Sequence, residues 1–182
     1  MPTHVALLRG INVGGRNKVT MADLREVVTS LGYIDVATYI QSGNVVFTSP
    51  NADSAALAAA LEHGIAERIG VRPRVVVLSR AELAQVIADN PFPDESDPKC
   101  LHAVISIDGF GPDEVSGVDH SLQQARQRGS RDEARVVGRT LYLRTPDGLA
   151  RSQLGGQLVR PRAKTTARNW STILKLMALL DD

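Results

Sequence analysis

The apolar positions of residues 1–90 follow the strand period and the helix period in turn. Apolar or β-branched runs predict strands at His4–Ile11, Val36–Gln41, Val45–Ser49 and Arg74–Leu78. Helical spacing predicts helices at Met21–Leu31 and Ala55–Ile69, and Ser79 is expected to cap a further helix through Ala88. The order β-α-β-β-α-β is that of a ferredoxin-like unit, an antiparallel sheet with two helices on one face.

The second half of the chain follows a loop, Asn90–Lys99, that contains three prolines and three acidic residues. Strands are predicted at Leu101–Ile107, Glu133–Val137 and Thr140–Arg144, a broken polar helix at Asp113–Arg128 and a final helix at Thr165–Leu180. Residues 149–164 are expected to be irregular or weakly helical. The resulting order, β-α-β-β-α, nearly repeats that of the first half, although no repeat is visible in the residues themselves.

The elements together predict an α+β chain of two ferredoxin-like halves, with mainly antiparallel sheets and packed helices. The first half is predicted over residues 1–90 and the linker over 91–100. The second half, residues 101–182, is expected to end in an amphipathic helix whose apolar stripe begins at Trp170.

The composition is that of a soluble globular protein, with 43% hydrophobic and 23% charged residues. A single cysteine, Cys100, excludes an intramolecular disulfide and fits a reducing compartment. The first residues lack the basic and apolar segments of a signal peptide, and no apolar run approaches the roughly 20 residues of a membrane span. The sequence therefore predicts a cytoplasmic protein without a membrane partner.

The net charge of +1 is unevenly distributed along the chain. Residues 51–120 hold five basic and twelve acidic residues, whereas residues 121–182 hold twelve basic and five acidic ones. The two regions are expected either to form solvated faces of opposite sign, or to pair within the fold, or to leave a basic face for a polyanion.

The loop after the first predicted strand is the strongest candidate for chemistry. Gly10 and Gly15 have the spacing of a phosphate-binding P-loop, but Arg16 and Asn17 replace the lysine and the hydroxyl residue, which excludes a nucleotide hydrolase of that type. Glycines at Gly14 and Gly15 would let the backbone approach a ligand closely, and Arg16 and Lys18 would neutralise an anion. The alternative is a connection that needs glycine only for its turns.

A second basic cluster precedes the last predicted helix and consists of Arg160, Arg162, Lys164 and Arg168. Arg168 and Asn169 would lie in the first turn of that helix, where the dipole disfavours a cation unless an anion is near. Either a bound anion or an internal salt bridge to the acidic region would account for this placement.

Other catalytic arrangements find no support in the sequence. The four histidines are scattered, Cys100 and His102 have no second pair at metal-binding spacing, and no nucleophile with a base is recognisable. We therefore predict neither a metal nor a cofactor. The chain has seven aromatic residues, too few for base stacking on an exposed sheet, which disfavours the RNA-binding mode known from some ferredoxin-like sheets.

Three stretches, Ala6–Val19, Tyr39–Phe47 and Thr166–Leu176, resemble the bacterial family filed as domain of unknown function 1697. The resemblance spans essentially the whole chain, and it implies a compact α+β protein of two ferredoxin-like halves. It brings no established activity. The family's motif residues map onto Arg9, Gly10, Asn12, Gly14, Gly15, Asn17, Lys18, Gln41, Ser42, Gly43, Asn44, Thr166, Arg168, Asn169 and Trp170.

These observations favour a module that binds an anion, with a nucleic acid or nucleotide as the expected ligand. The candidate ligand-binding residues are Arg9, Asn12, Gly14, Gly15, Arg16, Asn17, Lys18, Ser42, Asn44, Thr166, Arg168 and Asn169. Basic side chains would supply charge, asparagines would orient the ligand, and glycine N–H groups would line the site.

Two alternatives compete with this hypothesis. An enzyme that acts on a small phosphorylated or carboxylated metabolite would use Lys18 as an electrophile and Ser42 or Thr166 as a polar contact, and would have a concave pocket there. A structural or interaction protein would instead bury these polar side chains in hydrogen bonds to one another and to the backbone.

Overall fold

The computed structural model describes residues 1–159 and 164–182. The chain divides into two compact units, one formed by Met1–Gln85 with Lys175–Asp182 and the other by Val86–Leu174. The sequence-based boundaries at residues 90 and 100 remain predictions. Within the described ranges, no helix combines the length and the apolar character that crossing a bilayer requires.

The first unit has the β-α-β-β-α-β order expected of it. Its elements are β1 (His4–Arg9), α1 (Met21–Ser30), β2 (Ile34–Tyr39), β3 (Asn44–Thr48), α2 (Ser54–Ile69), β4 (Arg74–Ser79) and α3 (Arg80–Ala88), the last of which runs into the second unit. The strands lie in the order β2-β3-β1-β4, and every neighbouring pair is antiparallel. β1 is thus central, hydrogen-bonded on both sides.

Local sequence fixes where the helices of the first unit begin. The hydroxyl of Thr20 accepts a hydrogen bond from the N–H of Asp23 (3.0 Å), and the carboxylate of Asp53 accepts from the first turn of α2. One face of the sheet packs on α1 and α2, because apolar residues recur at strand spacing on the sheet and at helical spacing on the helices. The buried residues of this core include Ala6, Leu8, Leu24, Val28, Phe47, Leu61, Ile65 and Val77.

The second unit repeats this arrangement. Its elements are β5 (Leu101–Ser106), α4 (Pro112–Gln127), β6 (Glu133–Val137), β7 (Thr140–Arg144), a single 3-10 turn (Leu149–Arg151), α5 (Gly155–Leu158), β8 (Thr165–Asn169) and α6 (Trp170–Asp181). The strand order β6-β7-β5-β8 is again antiparallel throughout. The predicted fold class, α+β with two ferredoxin-like halves, is therefore confirmed.

The predicted helix Thr165–Leu180 is wrong over its first five residues, which form β8. This strand pairs with β5, so that Thr166 lies opposite Ile105 and Arg168 opposite Ala103. The helical stripe begins only at Trp170, and Asn169 caps α6 by accepting a hydrogen bond from the N–H of Thr172 (2.9 Å). β-branched threonines in β8 prefer the extended backbone, and the pairing partner is about 60 residues away in sequence.

The predicted break in the polar helix is also absent. α4 is one continuous helix of 16 residues. The side chain of Glu114 accepts a hydrogen bond from the N–H of Gly111 (2.9 Å), and Pro112 occupies the first helical position, which suits its fixed φ. Val118, Leu122 and Ala125 then bury one face at helical spacing, which stabilises the remainder.

Two histidines occupy corresponding positions in the two units. His4 pairs with Ser79, the last residue of β4, and His102 pairs with Asn169, the last residue of β8. Both ring side chains are buried, and burial lowers the pKa of each imidazole from its usual value of 6.5. Nδ1 of His102 is enclosed and has no hydrogen-bond partner in the described part of the chain.

We expect the substitution His102→Leu to flatten the pH dependence of stability. The unfolded chain binds a proton at this histidine near pH 6.5, whereas the folded protein binds it only at lower pH, so the free energy of unfolding falls as the pH drops below 6.5. Urea unfolding at pH 7.5 and at pH 5.5 measures this loss, which should be smaller in the variant.

Equal losses between the two pH values in His102→Leu and in the wild type would contradict the prediction.

Candidate functional site

The connection between β1 and α1 folds back on itself as a small hairpin, Asn12–Asn17, which we call the tip hairpin. The N–H of Asn12 donates to the carbonyl of Asn17 and the N–H of Arg16 to that of Val13, each at 3.1 Å. Gly14 and Gly15 form its two-residue turn with φ of 58° and 75°, a left-handed geometry that favours glycine at both positions. The glycines predicted to approach a ligand therefore also make the turn.

Asn12 fixes the base of the tip hairpin. Its side-chain N–H groups donate to the carbonyls of Val19 and Gln41, both at 2.8 Å, and its Oδ1 accepts from the N–H of Val19 at 2.9 Å. Asn17 donates similarly to the carbonyl of Gly10 at 2.9 Å. Both asparagines thus hold backbone, and Asn12 has both of its N–H groups occupied within the protein.

The turn between β2 and β3, Ile40–Gly43, lies against this loop. The buried Asn44 donates to the carbonyl of Tyr39 (3.0 Å) and to the hydroxyl of Ser42 (2.9 Å). A Cβ at Gly43 would lie 2.7 Å from Cδ1 of Ile11, so only glycine permits this approach. Two of the three predicted segments are therefore brought together in the first unit, and we call residues 9–18 and 40–43 the basic end.

Backbone strain is concentrated at the basic end. Of the four non-glycine residues with positive φ in the described ranges, three are Asn12 (54°), Asn17 (51°) and Ile40 (48°). Ile40 is the most unusual, because a β-branched side chain clashes with the backbone in this conformation. Such outliers persist where the surroundings impose them, often at binding sites. The pattern of apolar residues carries no trace of this strain, and Ile40 was predicted as an ordinary strand residue.

Three cations lie at the basic end, namely Arg9, Arg16 and Lys18. None of them forms an ion pair with another described residue, and Arg16 and Lys18 are exposed. Val13, at the tip, has 67% of its surface exposed, and Ile40 has 49%. The surface thus combines positive charge with exposed apolar side chains, an arrangement suited to contact with an anionic partner.

The third predicted segment lies in the second unit and has a different environment from the one expected. Thr166 and Arg168 are buried on β8, and Nη1 of Arg168 donates to Oγ1 of Thr166 and to the carbonyl of Ala167, each at 2.9 Å. Burial lowers the pKa of Arg168 to about 10. Because Arg168 is on a strand and not at a helix start, the argument from the helix dipole does not apply.

Of the rest of the second basic cluster, only Lys164 lies among the described residues. Lys164 forms an ion pair with Asp108, and Arg160 and Arg162 lie outside the described residues. Asn169, predicted to contact a ligand, caps α6. Within the described ranges, no three His, Cys, Asp or Glu side chains come together as a metal site.

None of the seven aromatic side chains is fully exposed. Phe47, Tyr142 and Trp170 are buried, and the rings of Tyr142 and Trp170 meet edge to face with centroids 6.2 Å apart. Trp170, at which the predicted apolar stripe begins, is part of the core. The sheets therefore present no open aromatic platform on which bases could stack.

The geometry defines an α+β protein of two ferredoxin-like halves, with a strained basic end on the first. A family model described as "Protein of unknown function (DUF1697)" matches residues 1–142, and the chain belongs to this family. The family predicted from the three sequence motifs is thereby confirmed. No curated protein matches the chain.

A solved structure, that of the conserved bacterial protein SP0830 from Streptococcus pneumoniae, is similar over almost the full length. The two sequences are 25% identical, the TM-score is 0.72, and the match covers 98% of each chain. The likeness therefore includes residues 143–182, which lie beyond the family model.

We expect Asn12→Ala to destabilise the first unit by about 2–4 kcal/mol, because it removes three hydrogen bonds of the asparagine side chain. The alanine would keep the unfavourable positive φ without the hydrogen bonds that offset it in the wild type. Asn12→Gly should recover part of this loss, since glycine tolerates the backbone conformation. Urea unfolding measures both. Lys18 is exposed and has no hydrogen bond or ion pair within residues 1–159 and 164–182, so Lys18→Ala should change the free energy of unfolding by less than about 0.5 kcal/mol.

We expect Arg168→Ala to destabilise the protein by about 3 kcal/mol, because it removes a buried hydrogen-bonded cation and leaves Thr166 without its donor. Arg168→Lys keeps the charge but lacks the planar set of donors, so it should restore only part of the stability. A wild-type melting temperature for Arg168→Ala would show that the guanidinium is not structural.

Proposed function

We propose that the basic end binds a nucleic acid through its phosphates. The observation that carries this proposal is a group of three cations without ion-pair partners among the described residues: Arg9 at the end of β1, and Arg16 and Lys18 on the strained loop that follows it. Arg74, which lies opposite Arg9 on the neighbouring strand, forms an ion pair with Glu62 at 3.4 Å and is not one of these cations. The single cysteine supports a cytoplasmic setting for this binding.

The shape of the tip hairpin favours a duplex groove. A Cβ added at Gly14 or Gly15 would meet no other atom within 4 Å, so the turn projects freely and has no side chains of its own. Arg16 and Val13 flank it, and Arg16 would follow the turn into the groove. A two-stranded ribbon fits the major groove of DNA, which is roughly 12 Å wide.

The state of the aromatic residues also favours a duplex over a single strand. Proteins that bind single strands stack successive bases on exposed aromatic rings. All seven rings of this chain are buried or partly buried. Contacts to the phosphate backbone do not require exposed aromatic rings, so the burial of the rings does not weaken the binding of a duplex.

The asparagines have a supporting part in this proposal. Asn12, Asn17 and Asn44 hold the loops that present the cations, and Asn169 caps a helix. These bonds also favour the alternative of a purely structural role for the motif residues. The two hypotheses differ in their expectation for Lys18, which forms no hydrogen bond or ion pair with a described residue.

The expected affinity is strongly dependent on salt. Fluorescence anisotropy of a labelled 20-base-pair duplex, measured across a salt series, should give a slope of log Kd against log salt of about 2–3 for three phosphate contacts. Lys18→Ala and Arg16→Ala should each lower that slope by about 0.9 and weaken binding at low salt. The unlabelled single strand should compete less well than the unlabelled duplex.

Lys99→Ala is the matched control, because Lys99 is exposed but lies in the acidic loop before β5, and this variant should bind as the wild type does. No binding to any nucleic acid at low salt would overturn the proposal. Binding that is unchanged in both Lys18→Ala and Arg16→Ala would also overturn the proposal and would favour the purely structural role.

A further inference from the structure

A cleft of about 580 Å³ lies in the first unit at the opposite end of β1 from the basic end. It is lined by the N-terminal residues 1–4, the loop 49–52 after β3 and residues 79–81 at the start of α3. Most of the surface of its wall is apolar, and the polar residues that also line it are Thr3, His4, Ser49, Asn51, Ser79 and Arg80. This size and lining are typical of sites for small organic molecules.

His4 is the buried polar group of the cleft. Only 5% of its surface is exposed, its ring stacks on Phe47 with centroids 5.7 Å apart, and Nδ1 lies 2.8 Å from Oγ1 of Thr3. Burial lowers the pKa of His4 against an opposing effect of Glu82, so the ring is neutral at pH 7. Nε2 has no hydrogen-bond partner in the described part of the chain.

The hydrogen bonds of Thr3 assign the tautomer of His4. Oγ1 of Thr3 accepts from the N–H of Ser49 at 3.1 Å and has one proton to donate. The carbonyl of Ser49 is 3.4 Å away, beyond the usual range for a hydroxyl donor, whereas Nδ1 of His4 is at 2.8 Å. We therefore assign the hydroxyl proton to Nδ1, which places the imidazole proton on Nε2 as a donor.

The charges around the cleft already have partners. Nε of Arg80 donates to Asp181 at 2.8 Å. The carboxylate of Glu82 accepts from the hydroxyl of Ser54 and from the N–H of Ser79, so it occupies the helix start that would otherwise attract an anion. A charged ligand would gain little here and would lose its hydration.

We propose that this cleft binds a small uncharged molecule with an apolar body and a carbonyl oxygen that accepts a hydrogen bond from Nε2–H of His4. The fold itself does not require such a site. In the second unit, His102 occupies the corresponding strand position, and its enclosed Nδ1 has no hydrogen-bond partner in the part of the chain that the structure describes. The site is independent of the basic end and of any nucleic acid bound there.

Three probes of similar size test the proposal: benzamide, benzoate and benzylamine, which differ in the charge of the polar group. Each is titrated into the wild-type protein while the imidazole nitrogens, isotope-labelled, are observed by NMR. Without a probe, the spectrum should show His4 protonated at Nε2. Benzamide should shift this resonance saturably with a Kd of order millimolar, as expected for a fragment, and the charged probes should bind more weakly.

His4→Phe keeps the stacking ring but removes the donor, and it should weaken benzamide binding by about threefold to tenfold. His63→Gln, on the exposed face of α2, is the matched control and should bind as the wild type does. The proposal is overturned if benzamide causes no saturable shift, if benzoate or benzylamine binds more tightly, or if the Nδ1 tautomer is found. The wild-type titrations decide these points even if His4→Phe does not fold.

Discussion

The structure depends on the first strand of each unit, which is hydrogen-bonded to a neighbouring strand on both of its sides. β1 is hydrogen-bonded to β3 and β4, and β5 to β7 and β8, so both are central and fully enclosed by backbone partners. A central strand cannot shift its register without breaking two ladders. Its ends therefore mark fixed points of the surface, and both sites proposed for this protein lie at the ends of β1.

At the basic end, some polar side chains hold the backbone of the loops and others are exposed to solvent. The side-chain N–H groups of Asn12 and Asn44 donate hydrogen bonds to nearby carbonyl and hydroxyl oxygens. These bonds hold turns that the isolated chain would not adopt. The cations beside them form no hydrogen bond or ion pair with any residue that the structure describes. A rigid support reduces the entropy lost when a ligand is bound, so the asparagines would contribute to affinity without touching the ligand.

The two units use the same topology with different chemistry at corresponding places. Ser79 and Asn169 both end an edge strand and cap the helix that follows, which shows how different side chains meet one local requirement. The histidines paired with them differ more. His4 is hydrogen-bonded to Thr3 and lines a cleft, whereas the enclosed Nδ1 of His102 has no hydrogen-bond partner among the described residues. The two units therefore differ in the side chains at their strand ends and not in their topology.

The sequence by itself determined the fold class and most elements, because strand alternation, helical spacing and caps such as Thr20 are local properties of the chain. It also indicated the basic loop from its glycines and cations. Only the tertiary structure decided that Thr165–Asn169 is a strand, since its partner β5 is distant in sequence. The left-handed backbone of Ile40 and the cleft at His4 likewise depend on contacts between segments far apart in the chain, which no local pattern encodes.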